Sequence, residues 1–179
     1  SRTPPPDGAA ALTDEELMTQ VQAGDARAYG ALFERHQARV YGFLVRRSGD
    51  RELAADLYQE TFLRVFRARH QWKPGRPFRP WLFGIAANAA RDRARYRARR
   101  PVEVVVEDWD APVTSNVDAR LHLEQAIGRL PDTLRDAFLL GVAEGLDHNE
   151  VLDITPANAR ARISRARRQL RVWLSEEEA

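Results

Sequence analysis

The chain has 179 residues, 44% of them hydrophobic, and a formal net charge of +2, enough for one ordinary domain or two small ones. No apolar run approaches the ~20 residues that would span a membrane, no secretory signal pattern opens the chain, and the absence of cysteine excludes disulfides and thiolate zinc sites. Four scattered histidines argue against a histidine metal site, so the expectation is a soluble cytoplasmic protein without a cofactor.

Residues 1–11, rich in proline and alanine, cannot bury a core and are expected to be loose. Thr13 reads as a helix N-cap, with Glu16 completing a capping box. The helix it starts ends near Ala23, before a Gly24-Asp25 turn. Residues 26–47 form a long amphipathic helix with Tyr29, Leu32, Phe33, Val40, Tyr41 and Leu44 at helical spacing. Gly49-Asp50 breaks it. The next helix runs from about Arg51 to Arg69. At about 100° per residue, Ala54, Tyr58, Phe62 and Val65 gather on one side, and Asp56, Gln59, Glu60 and Leu63 on the other. A leucine on an outward, acidic face is a small anomaly. Prolines stiffen the loop 72–79, and Pro80 suits the first turn of the following helix. That helix places Trp81, Leu82, Ile85, Ala89 and Tyr96 on one face, and Gly84, Asn88, Arg91 and Arg95 on an adjacent one.

Pro101 ends this helix. Residues 102–118 mix valines, acids and Pro112; Val102–Val106 has strand character but nothing nearby to pair with, so the stretch reads as a linker. Charge divides the chain at this point: residues 1–100 carry a balance of +8, residues 101–119 of −5 and residues 120–179 of −1. Short helices are expected over 119–130 and over about Asp132–Glu144, the second ending at Gly145, and Asp147 is placed to cap a third. Thr155-Pro156 supplies a cap and a first-turn proline for a final helix over about 156–174. Residues 175–179 read as a frayed acidic tail. With no convincing β-hairpin, the expected fold is all-α: two small helical domains, 12–100 and 119–174, joined by the acidic linker 101–118.

Three surfaces invite a functional reading. On the last helix, Ala159, Ile163, Ala166 and Leu170 form a stripe to bury, while Asn158, Ala161, Ser164, Arg165 and Arg168 point outward. Small residues among donors let a helix sit close in a major groove, where Arg and Asn read guanine and adenine edges. A short helix, a turn and this helix follow the helix-turn-helix order. The plainer alternative is a solvated arginine-rich helix; arginine so outnumbers lysine (Lys73 is the only one) that coding bias explains the residue type, though not the clustering. Second, the Arg91–Arg100 run, near Trp72, Phe78, Trp81, Phe83 and Tyr96, suits phosphate binding with stacking on unpaired bases. The alternative is that most of these aromatics are core, which is the reading adopted for Trp81; Trp72 and Phe78 stay open. Third, Asp56, Gln59, Glu60 and Leu63 form a solvated face or a protein-docking face. A carboxylate pair also suggests acid–base chemistry, but no nucleophile, metal ligand set or phosphate loop lies near it, and the chain is not read as an enzyme.

Taken in order, these residues resemble a bacterial RNA polymerase sigma factor of the extracytoplasmic function group. Asp56–Phe66 is similar to the family's core-polymerase-binding helix. Phe78–Asp92 is similar to its promoter-melting, minus-ten-reading segment. Leu130–Leu140, Glu144–Leu146 and Ile154–Arg167 are similar to its minus-thirty-five-binding domain. The resemblance covers about residues 12–174. It implies that Asp56, Gln59, Glu60 and Leu63 dock on the clamp helices of core RNA polymerase, which accounts for the outward leucine. It implies that Asn88, with Trp72 and Phe78 from the loop, holds a flipped base of the promoter DNA, and that Arg91 and Arg95 grip the backbone. Asn158, Arg160, Ala161, Ser164 and Arg165 would lie on the minus-thirty-five element, and an anti-sigma factor is the further partner implied.

One departure stands out. Only Leu152-Asp153-Ile154 separates Val151 from the turn, about three residues fewer than the family pattern. Removing three helical residues rotates the next helix by about 300°, so an abbreviated or distorted first helix is expected. That shortening motivates a rival reading, a sigma mimic that binds an anti-sigma factor or polymerase without starting transcription. A DNA-binding regulator independent of polymerase is a second rival.

Overall fold

The structure, a computed structural model, describes residues 11–99 and 115–177. Most of the expected loose N-terminal segment, residues 101–114 of the expected linker and the last two residues of the expected tail lie outside the described residues. Within them, the architecture is all-α.

Helix α1 (Asp14–Gln22) starts as its capping box dictates: Thr13 Oγ1 accepts from the Glu16 N–H at 3.2 Å, and Glu16 Oε2 accepts from the Thr13 N–H at 2.7 Å. Helices α2 (Ala26–Ser48) and α3 (Arg51–Arg67) are capped by the carboxylates of Asp25 and Asp50. Gly49, at φ +69°, closes α2 in the left-handed conformation that glycine adopts without a Cβ penalty. A single 3₁₀ turn, Arg69–Gln71, leads to the proline-stiffened loop and then to α4 (Phe78–Arg99). This loop is tied down from far away in sequence. Gln22 Nε2 donates to the carbonyls of Arg69 and Trp72, both at 2.7 Å, and Glu15 Oε1 accepts from the Phe78 N–H at 3.1 Å. Phe33, Tyr58 and Phe62 pack edge to face or tilted at centroid distances of 4.8–5.4 Å and hold α2 against α3.

Helix α5 (Ser115–Arg129) begins inside the stretch read as linker. Helix α6 (Asp132–Phe138) widens into a π-helical turn over Leu139–Ala143, with the Glu144 N–H donating to Leu139 O at 3.0 Å, and Gly145 (φ +65°) ends it. Helix α7 (His148–Val151) is one turn long, capped by Asp147, as the missing residues predict. Behind it Asp153 takes a φ of +51°, the one left-handed non-glycine residue among those described. Asp tolerates that conformation better than most residues. The short spacing between Asp147 and Thr155 is thus accommodated by a one-turn helix and a tight turn. Helix α8 (Pro156–Glu177) starts under the Thr155 hydroxyl, which accepts from the Asn158 N–H at 3.2 Å, and runs past the expected end at 174 into the residues read as a frayed tail.

The two halves share one continuous apolar core, from Leu17 and Met18 through Phe43 and Phe83 to Leu140, Ala166 and Leu170. Charge also joins them. Arg47 of α2, 3% exposed, meets Asp136 of α6, 2% exposed, at 2.5 Å, and Arg91 of α4 reaches the same carboxylate at 3.2 Å. Glu144 lies 3.4 Å from Arg39 and 3.7 Å from Arg79. Arg135 completes the seam, donating to Arg47 O and to the carbonyls of Ile127, Gly128 and Leu130 at the end of α5. Burial, and then the charge of Arg47, push the Arg135 guanidinium below its ordinary value.

Candidate functional site

On α3, Ala54, Leu57, Phe62 and Val65 are buried, which leaves the opposite side of the helix to solvent. There Asp56 and Gln59 are exposed, Leu63 is 43% exposed, and Glu60 is half-buried. Phe66, also 43% exposed and one turn beyond Leu63, extends the apolar part of this face; sequence reading passed over it, although its i+3 spacing from Leu63 was visible. Glu60 is not free. Arg64 Nε donates to it at 2.8 Å while Arg64 Nη1 bonds Asp92 of α4 at 2.8 Å. The Glu60 hydrogen bond is the largest influence holding the Arg64 guanidinium above its ordinary value.

The second surface surrounds Asn88. A shallow groove between the end of α3 and α4 is lined by Arg64, Arg67, Ala68, Gln71, Ile85 and Asn88. Asn88 is exposed, and its Oδ1 accepts from Arg91 Nη1 at 3.2 Å. Arg95 is exposed one turn beyond Arg91. The loop aromatics do not join them. Trp72 is 2% exposed and Phe78 is fully buried, because the two hydrogen bonds of Gln22 pull the loop down onto the bundle and Phe78 packs on Trp81 and His36. The expectation that Trp72 and Phe78 face a DNA base is therefore corrected: in this conformation both are core. Trp81, read as core, is partly buried against it, whereas Tyr96, placed on the same stripe, is 56% exposed. The positions that do line the groove, Arg64 and Arg67 on α3, Ala68 just past its end and Gln71 in the 3₁₀ turn, follow one another at i, i+3, i+4 and i+7, and only the α3–α4 packing brings them to Asn88.

The third surface is α8. Ala159, Ala166 and Leu170 are buried and Ile163 is partly so, while Asn158, Arg160, Ala161, Ser164 and Arg165 are all exposed. Arg162 Nε donates to Asn158 Oδ1 at 3.1 Å, one turn on. Arg160 and Ser164 border a groove with Gly141, Val142, Arg167 and Arg171. Its donors are cationic or hydroxyl, the set that suits phosphate oxygens and base edges. No cluster of three or more metal-ligating side chains occurs among the described residues, nor does a helix long and apolar enough to cross a membrane.

Comparisons with known proteins agree with this layout. The Sigma-70 region 2 family matches residues 32–100, and the Sigma-70, region 4 family matches residues 120–170. The chain is 38% identical over 167 residues to the RNA polymerase sigma factor CarQ of Myxococcus xanthus, covering 89% of this chain and 96% of that one. It is 36% identical to the ECF RNA polymerase sigma factor SigE of Mycolicibacterium smegmatis, covering 92% and 70% of the two chains. Among solved structures, CnrH in complex with the cytosolic domain of CnrY superposes with a TM-score of 0.71 at 28% identity, over 91% of this chain and 97% of that one. The sigma factor RpoE of Bartonella quintana, solved with the anti-sigma factor NepR, shares the fold at a TM-score of 0.72 and 21% identity, over 84% of this chain and 98% of that one.

Proposed function

The chain belongs to the extracytoplasmic function group of RNA polymerase sigma factors, and from that premise we propose how its three surfaces divide the work. It binds core RNA polymerase and directs promoter recognition, melting and the start of transcription; the bond-making chemistry is the polymerase's. The exposed face of α3, with Asp56, Gln59, Glu60 and Leu63, docks on the polymerase. Asn88 in its groove takes a base of the minus-ten element out of the stack, at a cost of a few kcal/mol that a preformed groove helps offset, and Arg91 and Arg95 hold the adjoining backbone. Asn158, Arg160, Ala161, Ser164 and Arg165 lie on the minus-thirty-five element. The work is done in the cytoplasm, where core polymerase and promoter DNA meet, and an anti-sigma factor restrains it, as NepR pairs with RpoE.

The observation that carries the reading is the pairing of an outward Leu63, 43% exposed, with carboxylate and amide groups on a helix whose other side is fully packed. With Phe66 one turn on and equally exposed, Leu63 forms a contiguous apolar patch rimmed by polar groups, the mark of a protein-docking face. The match along nearly the whole of a sigma factor favours an initiator over a mimic. Co-purification with core RNA polymerase tests the assignment. The native chain should be retained and an Asp56→Arg, Gln59→Ala double variant should not. Equal retention of both would remove this face from the polymerase contact.

A further inference from the structure

The seam between the two halves is built from charges of opposite sign on opposite sides. The cations of the ion pairs that cross it come from the N-terminal half, Arg39 and Arg47 on α2, Arg79 and Arg91 on α4, while Arg135 of α6 pairs with Asp132 on its own side. The acids come from the C-terminal half: Asp132, Asp136 and Glu144. One of these cations, Arg91, is assigned above to the promoter backbone. A carboxylate and a phosphate present the same group to a guanidinium, a pair of anionic oxygens in a plane it can meet. On the same side of α4, Gly84 packs so closely on α7 that an added Cβ would lie 3.3 Å from the Val151 carbonyl oxygen.

We propose that Asp136 is an intramolecular stand-in for a promoter phosphate: it holds Arg91, and with Arg47 it latches the C-terminal half over α4, so that closure of the two halves and minus-ten binding compete for the same arginine. This rests on the reading of Arg91 as a DNA contact. The latch is built to release. Arg47 Nη2 is buried and finds no hydrogen-bond acceptor among the described residues, which costs the closed form part of what its ion pairs contribute. Three arginines, Arg47, Arg91 and Arg135, share two carboxylates, Asp132 and Asp136, which leaves a surplus of one positive charge that a polyanion can claim. Glu144, with a side chain only 6% exposed between Arg39 and Arg79, forms a second, independent clasp.

The absence of cysteine lets a donor and an acceptor dye be placed on the full chain through Glu34→Cys and Ser175→Cys, both exposed positions on opposite halves. Energy transfer then reads closure, and anisotropy with a mixed-sequence single strand of about 20 nucleotides reads DNA binding. Asp136→Asn should lower the transfer efficiency of the free chain and tighten strand binding, by about tenfold if roughly a tenth of the native chain is open. The native chain should lose transfer as strand is added. Should Asp136→Asn fail to keep native helicity, Glu144→Gln, which leaves Arg47 and Arg91 paired, is judged on the same two readouts. Folded variants with unchanged transfer overturn the proposal. So does a fall in transfer with no gain in affinity, since the halves then part without freeing a DNA contact. Polymerase co-purification is read separately and bears on the function alone.

Discussion

Gly141 shows how much one absent side chain can hold. It sits in the wide turn after α6, and a Cβ built there would fall on the ring of His148. That ring is buried, with Nε2 2.8 Å from the Ala137 carbonyl oxygen, and it is the anchor of the one-turn helix α7. Gly141→Ala must drive the ring out or move α7, losing one buried hydrogen bond and some packing. We expect a loss of about 1–3 kcal/mol in urea unfolding, read with far-ultraviolet circular dichroism. A loss below about 0.5 kcal/mol, the level of an ordinary surface change, would show that His148 is not the anchor. Neither residue was marked by sequence reading, since a glycine in a helical run carries no record of what lies above it. The same limit explains Trp72 and Phe78. Aromatics in a proline-rich loop could be core or stacking surface, and the bonds that tie the loop down come from far away: Gln22 holds the Arg69 and Trp72 carbonyls and Glu15 holds the Phe78 N–H. What was legible was whatever a helix fixes locally: the Thr13–Glu16 box, the breaks at Gly24-Asp25 and Gly49-Asp50, the Asp147 and Thr155 caps, and the outward set of Asp56, Gln59 and Leu63.

Helix α7 is the element most changed by the sequence and the one most open to repair. Its shortness was readable from spacing alone, because the count between Asp147 and Thr155 leaves no room for two helical turns. How the chain copes was not readable, for it depends on the left-handed Asp153 and on the π-helical turn that lowers Gly141 beneath His148. Inserting three residues after Val151 extends α7 by most of a turn and rotates the approach to α8 by about 300°. It also shifts the Val151 carbonyl that packs on Gly84. Duplexes selected from a random pool on the inserted variant should bind it about tenfold tighter than those selected on the native chain bind the native chain, one well-placed base contact being worth about 1–3 kcal/mol. Equal affinities would mean that the exposed face of α8 already reaches its groove from the shortened support.

For the whole molecule, the decisive comparison is between its closed size and the DNA it must span. Elements about 25 base pairs apart, as minus-ten and minus-thirty-five are by name, lie about 85 Å apart along B-form DNA at 3.4 Å per pair. A compact chain of this length has a radius of gyration of about 16 Å, hence a diameter near 40 Å. The closed form therefore cannot touch both elements at once. Between Arg99 and Ser115 the chain can reach at most about 58 Å, which added to two half-molecules makes the span feasible once the seam parts. The charge break at Pro101 was legible in the sequence, and the expectation of two helical units rested on it. Their apposition was not, because it depends on ion pairs such as Arg47–Asp136 and Arg39–Glu144, which join residues 89 and 105 positions apart and carry no local pattern. Spin labels at Glu34→Cys and Ser175→Cys should therefore report a single short separation in the free chain, and one longer by about 20 Å or more once core polymerase is bound. The same distance in both states would mean that the enzyme engages the closed form and that the two DNA-facing surfaces act in succession, with the seam opening only when promoter phosphates arrive at Arg91.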